Sequence, residues 1–209
     1  MSVRDAIGGF YAVLDRDDPA LARALVGEAR VLQVRIKPPA GGVNAGAGEL
    51  VRVARMARRI CDDAGAALIV NDRVDVALAV AADGVHLGQT DLPIEAARGL
   101  APELWIGVST HNLDQVRVAC EAGADYLGFG PVFTTTTKAN PDPVQGIEGL
   151  RAAVAAAAGR PVVAIGGITA GTAGDVYRTG AHAICAIGAV NGARDPRDAA
   201  RRLARPGGV

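Results

Sequence analysis

The sequence predicts a single (β/α)8 barrel over residues 1–209. Three observations carry this expectation. Eight short, β-prone apolar runs alternate with helical windows along the chain. The runs are continuously apolar, as parallel strands covered on both faces require. Polar or glycine-rich segments follow nearly every run, as a barrel that gathers its eight loops at one end demands. A doubly wound open sheet, which concentrates such segments at one switch point, is the competing reading.

In order, residues 10–14 (FYAVL) open the pattern, and a helix follows from Pro19 over 19–27. The second run, 31–36, precedes the clearest helix, 48–64. There Leu50, Val53, Ala54, Ala57, Ile60, Cys61 and Ala64 share one 3.6-period face, and Arg52, Arg55, Arg58 and Arg59 fall mostly off it. Runs 67–70, 84–87, 105–108, 126–129, 162–165 and 183–187 follow, each bounded by Gly, Pro or polar residues. The intervening helices are expected at 74–81, 93–100, 113–122, 147–158 and 170–179, with a last one at 196–203. The stretch 38–48 (PPAGGVNAGAG) lies between a strand and the helix it feeds, and reads as a βα loop.

Lys and Arg total 22 against 22 Asp and Glu, so the net charge is zero. A dedicated nucleic-acid or membrane-surface binder carries a clear cationic excess, and both are excluded as partners. Apolar stretches are far shorter than the ~20 residues of a membrane span, and the start of the chain lacks the apolar core of a secretory signal. Cys61, Cys120 and Cys185 are odd in number and widely spaced, which suits small buried residues in a reducing compartment; the expected location is the cytoplasm. Only Lys37 and Lys138 are lysines among the 22 basic residues. A compact ammonium differs from a planar guanidinium where a departing phosphate must be followed.

The strand ends carry the candidate chemistry. Alternation in the second run puts Gln33, Arg35 and Lys37 on one face, toward the barrel mouth, where stacked cations call for an anion such as diphosphate. Asn71 and Asp72 end the third strand, and Asp91 follows the fourth. Each aspartate alone could cap a helix; together they form a hard-oxygen cradle suited to Mg²⁺. After the fifth strand come Ser109, Thr110 and His111, offered to phosphate oxygens. After the sixth comes a polar loop of four threonines and Lys138, read as a lid. Glycine loops at Gly166–Gly167 and at Gly188 suit a phosphomonoester held on backbone N–H groups, so two phosphate sites are expected.

These motifs, from Gln33-x-Arg35-x-Lys37 and Asn71-Asp72-Arg73-x-Asp75 through Val85-His86-Leu87-Gly88-Gln89-x-Asp91-Leu92-Pro93 and Gly107-x-Ser109-x-His111, continue in Gly128-x-Gly130-Pro131-Val132-Phe133-x-Thr135-x-Thr137-Lys138 and Ala164-Ile165-Gly166-Gly167-Ile168. Together and in this order they resemble the thiamine phosphate synthase family over nearly the whole chain. The resemblance implies an Mg²⁺-dependent transfer in which hydroxymethylpyrimidine diphosphate loses diphosphate to the nitrogen of hydroxyethylthiazole phosphate. It assigns Asp72 and Asp91 to the metal. Gln33, Arg35, Lys37, Asn71, Ser109 and Lys138 go to the pyrimidine diphosphate, with Arg35, Lys37, Ser109 and Lys138 acting in catalysis. Thr135, Thr137, Gly167 and the Ile187–Gly188 backbone go to the thiazole phosphate. Such chemistry needs leaving-group electrostatics more than a nucleophile, which fits the lack of a Ser/Cys/His triad.

Gly188 stands where the family often has Ser, Ile36 where a polar residue is usual, and Thr134 and Thr136 where Pro is frequent. On this assignment Gly167→Val is expected to block the site sterically and raise the thiazole KM with little effect on the pyrimidine. The rival readings are a thiazole tautomerase-like isomerase using His111, a phosphosugar isomerase, and a catalytically silent barrel that binds thiamine precursors. The expected partners are the two small-molecule substrates, and a homo-oligomer is left open.

Overall fold

The computed structural model describes residues 2–36, 46–135 and 142–204. Eight parallel strands close into a barrel in sequence order: β1 (Gly9–Leu14), β2 (Ala29–Val34), β3 (Ala67–Asn71), β4 (Gly84–Leu87), β5 (Trp105–Thr110), β6 (Tyr126–Phe129), β7 (Val162–Ile165) and β8 (Ala183–Cys185). β8 pairs with β1 through Gly9 and Phe10, so no edge remains. The helices are α1 (Val3–Ala6), α2 (Pro19–Val26), α3 (Ala47–Ala64), α4 (Val74–Ala79), α5 (Ile94–Leu100), α6 (Leu113–Glu121), α7 (Gly146–Ala156), α8 (Ala173–Tyr177), α9 (Ile187–Asn191) and α10 (Pro196–Ala204). Among the described residues, no helix is long and apolar enough to cross a membrane.

Strand periodicity splits the core into two clusters. One side chain in two faces outward: Leu32, Val34, Leu68, Val70, Val85, Leu87 and Ile106 pack beneath the helices with Leu50, Val53 and Ile60 of α3. The alternate set, including Tyr11, Val13, Val31, Ile69, Tyr126, Val163 and Cys185, fills the barrel itself. Cys61 and Cys185 are buried and Cys120 is half-buried, all as free thiols. Burial pushes the Cys185 thiol up to about 12, so it stays protonated and packs as a small apolar group.

Two helices fall outside the expected pattern. α1 is held by a capping box between Ser2 and Asp5, and its Ala6, with the following Ile7, joins the interior cluster beside Val31, Ala67 and Ala183. It plugs the end of the barrel away from the loops after the strands. α9 begins at Ile187, so β8 is shorter than the 183–187 run: it stops at Cys185 and the chain turns through Ala186. Asn191 fixes α9 by donating its Nδ2 to Val13 O at 2.9 Å.

A latch recurs at the start of every second strand from β4 onward. Asp83 Oδ2 accepts from Leu68 N of β3 at 2.7 Å, and Asp125 Oδ2 accepts from Ile106 N of β5 at 2.7 Å. His182 Nδ1 accepts from Val162 N of β7 at 3.3 Å. Each latching residue returns its own amide to the carbonyl of the same partner, at 2.9, 2.8 and 2.9 Å. A guanidinium from the helix layer closes the first two: Arg58 on Asp83 at 2.6 Å and Arg98 on Asp125 at 2.7 Å.

Candidate active site at the C-terminal mouth of the barrel

β2 ends two residues earlier than the sequence run, at Val34, so Arg35 and Ile36 leave the ladder rather than extend it. The facing expected from alternation survives in part. Gln33 is buried inside the barrel, Val34 packs outward, and Arg35 N still donates to Leu14 O at 2.9 Å. The Arg35 charge acts on both His86 and Cys185, which places it over the interior rather than in the helix layer. Gln33 Nε2 is buried and has no hydrogen-bond partner among the described residues. A buried amide donor without a partner costs about 1–3 kcal/mol, and an acceptor-bearing ligand removes that cost.

The two aspartates flank the end of β4. Asp72 occupies the left-handed region at φ 63°, with its N–H on His86 O at 2.8 Å. Asp91 folds back so that its Oδ2 accepts from Gly88 N at 2.7 Å. Neither caps a helix: α4 starts from Arg73 and α5 from Pro93, both without a side-chain cap bond. A Cβ on Gly88 would stand 2.9 Å from Asp91 Oδ2, so a larger residue there would push that carboxylate aside. Asn71 closes β3 opposite His86.

β5 runs on through Thr110, which corrects one expectation. Thr110 is fully buried, and its Oγ1 donates to Gly128 O at 2.9 Å, so it is a strut between β5 and β6 and takes no part in phosphate binding. Ser109, one residue earlier, faces the mouth side and meets His86 Nε2 at 2.9 Å. His111 contacts Gly130 O through Nδ1 at 2.6 Å and Asp142 Oδ2 through Nε2 at 3.5 Å. Both its nitrogens are engaged, which ties the imidazole to the loop after β6.

That loop is zipped to the next one. Val132 N donates to Ile165 O and Phe133 N to Gly166 O, both at 2.9 Å, so Thr135 lies close to the Gly166–Gly167 turn. Gly167 has φ 65°, and a Cβ there would overlap Thr134 O and stand 2.9 Å from Phe133 C. Ile187 is half-buried and Gly188 exposed in the first turn of α9. Lys37, Thr137 and Lys138 lie outside the described residues.

Sequence reasoning missed the polar interior. The hydroxyls of Tyr11 and Tyr126 are 2.8 Å apart, and Tyr126 OH is 3.1 Å from His86 Nδ1. Burial first, and then the Arg35 charge, push His86 down to about 4; Asp91 opposes them. The available signal was glycine. A Cβ on Gly107 would overlap the Tyr126 ring, and one on Gly128 would stand 3.2 Å from His86 Cε1.

The low His86 value makes a pH prediction. Its ordinary value is 6.5, so between pH 6.5 and about 4 the unfolded chain binds the extra proton. The stability contributed by neutral His86 is complete above 6.5 and is lost as pH falls, at roughly 1 kcal/mol per unit. Denaturant midpoints are expected to drop from pH 7 to 5 in the unaltered chain and to drop less in His86→Gln. His182, lowered by burial and then by the Arg4 charge, adds to the slope in the same direction. Equal drops in both proteins would assign the slope elsewhere.

The family profile of thiamine monophosphate synthase matches residues 10–190. The chain belongs to that family. A thiamine-phosphate synthase of Chloroflexus aurantiacus is 47% identical over 180 residues, covering 86% of this chain and 80% of the relative. That of Pyrococcus furiosus is 44% identical over 197 residues, covering 92% and 91%. A solved thiamine phosphate pyrophosphorylase from Pyrococcus furiosus superposes with TM-score 0.84 at 41% identity, over 97% of this chain and 96% of that one. A 3-hexulose-6-phosphate synthase, at 19% identity and TM-score 0.67 over 93% of this chain and 97% of that one, shares the fold alone. The described residues singled out from the sequence lie in or just after the C-terminal ends of β2 to β8, the end at which (β/α)8 barrels carry their sites.

Proposed function

We propose that the chain joins hydroxymethylpyrimidine diphosphate to hydroxyethylthiazole phosphate, releasing diphosphate and giving thiamine phosphate. The observation that carries this reading within the family is Gln33: a buried amide N–H inside the barrel, without a partner among the described residues, suits a heteroaromatic ring that brings its own acceptor nitrogen. Arg35 at the mouth, with Lys37 and Lys138, holds the diphosphate, and Asn71 and Ser109 add hydrogen bonds to this substrate. Thr135, Thr137, Gly167 and the Ile187–Gly188 amides take the thiazole phosphate at the opposite loops.

Among the described residues, no group of three or more His, Cys, Asp or Glu could hold a metal. The donor set therefore reduces to the Asp72 and Asp91 carboxylates, and two hard oxygens completed by water and substrate phosphate suit Mg²⁺. Mg²⁺ bound there would neutralise charge on the departing diphosphate. The protein's own part is to orient the pyrimidine through Gln33, meet the developing charge with Arg35 and the lysines, and keep His86 out of acid–base chemistry. The engaged nitrogens of His111 speak against the tautomerase reading.

Thiamine phosphate formation from the two precursors, with and without Mg²⁺, tests the proposal. Mg²⁺-dependent product is expected; no product, or product in full without a divalent ion, would overturn it. Within that assay Lys138→Arg is expected to lose kcat more than pyrimidine KM, because a point charge can follow the leaving oxygens where a planar fork cannot. Unchanged kcat would reduce Lys138 to a general attractor.

A further inference from the structure

The groups inside the barrel form a connected file from Tyr11 to Ser109, of which the proposed substrate contacts use only the last hydroxyl: Tyr11 OH, Tyr126 OH at 2.8 Å, His86 Nδ1 at 3.1 Å, then His86 Nε2 and Ser109 Oγ at 2.9 Å. Its direction can be worked out by counting protons. Tyr11 is 4% exposed, and among the described residues its hydroxyl meets only Tyr126. A hydroxyl has one proton, and leaving that proton unmet in the interior costs more than leaving a lone pair idle. Tyr11 therefore donates to Tyr126.

Tyr126, fully buried, must spend its own proton on the one acceptor left, His86 Nδ1. A neutral imidazole accepting at Nδ1 carries its hydrogen on Nε2, and so donates to Ser109 Oγ. Run in reverse, the file would strand the Tyr11 proton in the core. Run forward, each buried proton is used, and the one left over belongs to half-exposed Ser109 at the mouth, where a ligand can take it.

We propose that Tyr11, Tyr126 and His86 form a one-directional hydrogen-bond file that makes Ser109 an obligate donor toward the mouth, with His86 as its positioning residue. What Ser109 meets, the leaving diphosphate, rests on the transferase reading; the file does not. The strands are registered for it. His86 lies opposite Gly107, Gly107 opposite Tyr126, and Ser109 opposite Gly128, so a glycine clears the space beside each ring.

Nitrogen NMR of His86 in the full chain without substrate tests the file directly. The Nε2–H tautomer is expected, and the Nδ1–H tautomer would overturn the proposal. Tyr126→Phe keeps the ring against Gly107 and removes the donor to Nδ1, so mixed tautomers are expected; an unchanged single tautomer would also overturn it. In turnover, His86→Ala is expected to lower kcat by about 10–100-fold, the range for residues that orient a functional group, with KM little changed. His86→Gln, which can donate from the Nε2 position, should recover most of that loss.

The double variant Ser109→Ala/His86→Ala should be no worse than Ser109→Ala alone, because His86 acts through that hydroxyl. Additive losses would make His86 merely structural and end the proposal. If the transferase reading is wrong, the unaltered chain will show no turnover, and the tautomer, read without substrate, still decides the file.

Discussion

Asp72→Ala and Asp91→Ala are each expected to remove most Mg²⁺-dependent turnover, by roughly two orders of magnitude or more, while the barrel stays folded. Both side chains sit in loops after strands and neither belongs to the core. The two positions will not behave alike, because they are held differently. Asp72 is in the left-handed region, where Asn is nearly as well tolerated as Asp and Ala is not. Asp72→Asn should therefore keep full stability and lose the carboxylate charge, whereas Asp72→Ala should add about 1 kcal/mol of backbone cost. Asp91 spends one oxygen on Gly88 N, so Asp91→Asn should retain the turn through its amide oxygen and still lose turnover. The check is turnover titrated with Mg²⁺ alongside denaturant midpoints. Near-normal Mg²⁺-dependent rates in either asparagine variant would remove that aspartate from the metal site.

Gly167→Val is the second large effect, and the structure changes what it reads. On sequence alone it should raise the thiazole KM with little effect on the pyrimidine. In the fold, the new Cβ would overlap Thr134 O and crowd Phe133, and the atoms it meets are largely backbone that cannot rotate away. The left-handed φ adds further strain. The loop after β6, which carries Thr135 and runs on toward Lys138, must therefore move. The expected result is a raised thiazole KM together with a fall in kcat of about tenfold or more, and a stability loss of about 1–3 kcal/mol. A change confined to thiazole KM would show that the two loops can part without disturbing the pyrimidine side.

The eight strands were legible because parallel strands covered on both faces leave unbroken apolar runs, which few other structures produce at this spacing. What escaped was short or non-local. α1 and α9 have four and five residues, too few to show a helical period, although Ser2-x-x-Asp5 was a readable capping signal for the first. The end of β2 was misplaced because Arg35 and Ile36 continue the alternation after the ladder has stopped. Thr110 looked like a ligand residue only because a hydroxyl beside Ser109 and His111 hides which face it takes. Asp72 and Asp91 drew notice because each stands in the loop that follows its own strand, β3 and β4. The Tyr11–Tyr126 contact joins residues 115 apart, and both tyrosines read as ordinary apolar strand positions. Nothing local to either marks the hydroxyl as engaged.

The latches at Asp83, Asp125 and His182 give the chain a grain that the closed ring conceals. Each ties an even strand back to the odd strand before it, through a side chain as well as the ladder. The strand pairs β3–β4, β5–β6 and β7–β8 are thus cross-stitched within themselves, while β4–β5 and β6–β7 have no counterpart among these latches. The molecule is in this sense assembled from hairpin-sized modules with a parallel crossover inside each. Swapping segments between relatives would keep every stitch whole if the joints fell after β4 or β6, and would cut one if they fell after β3, β5 or β7.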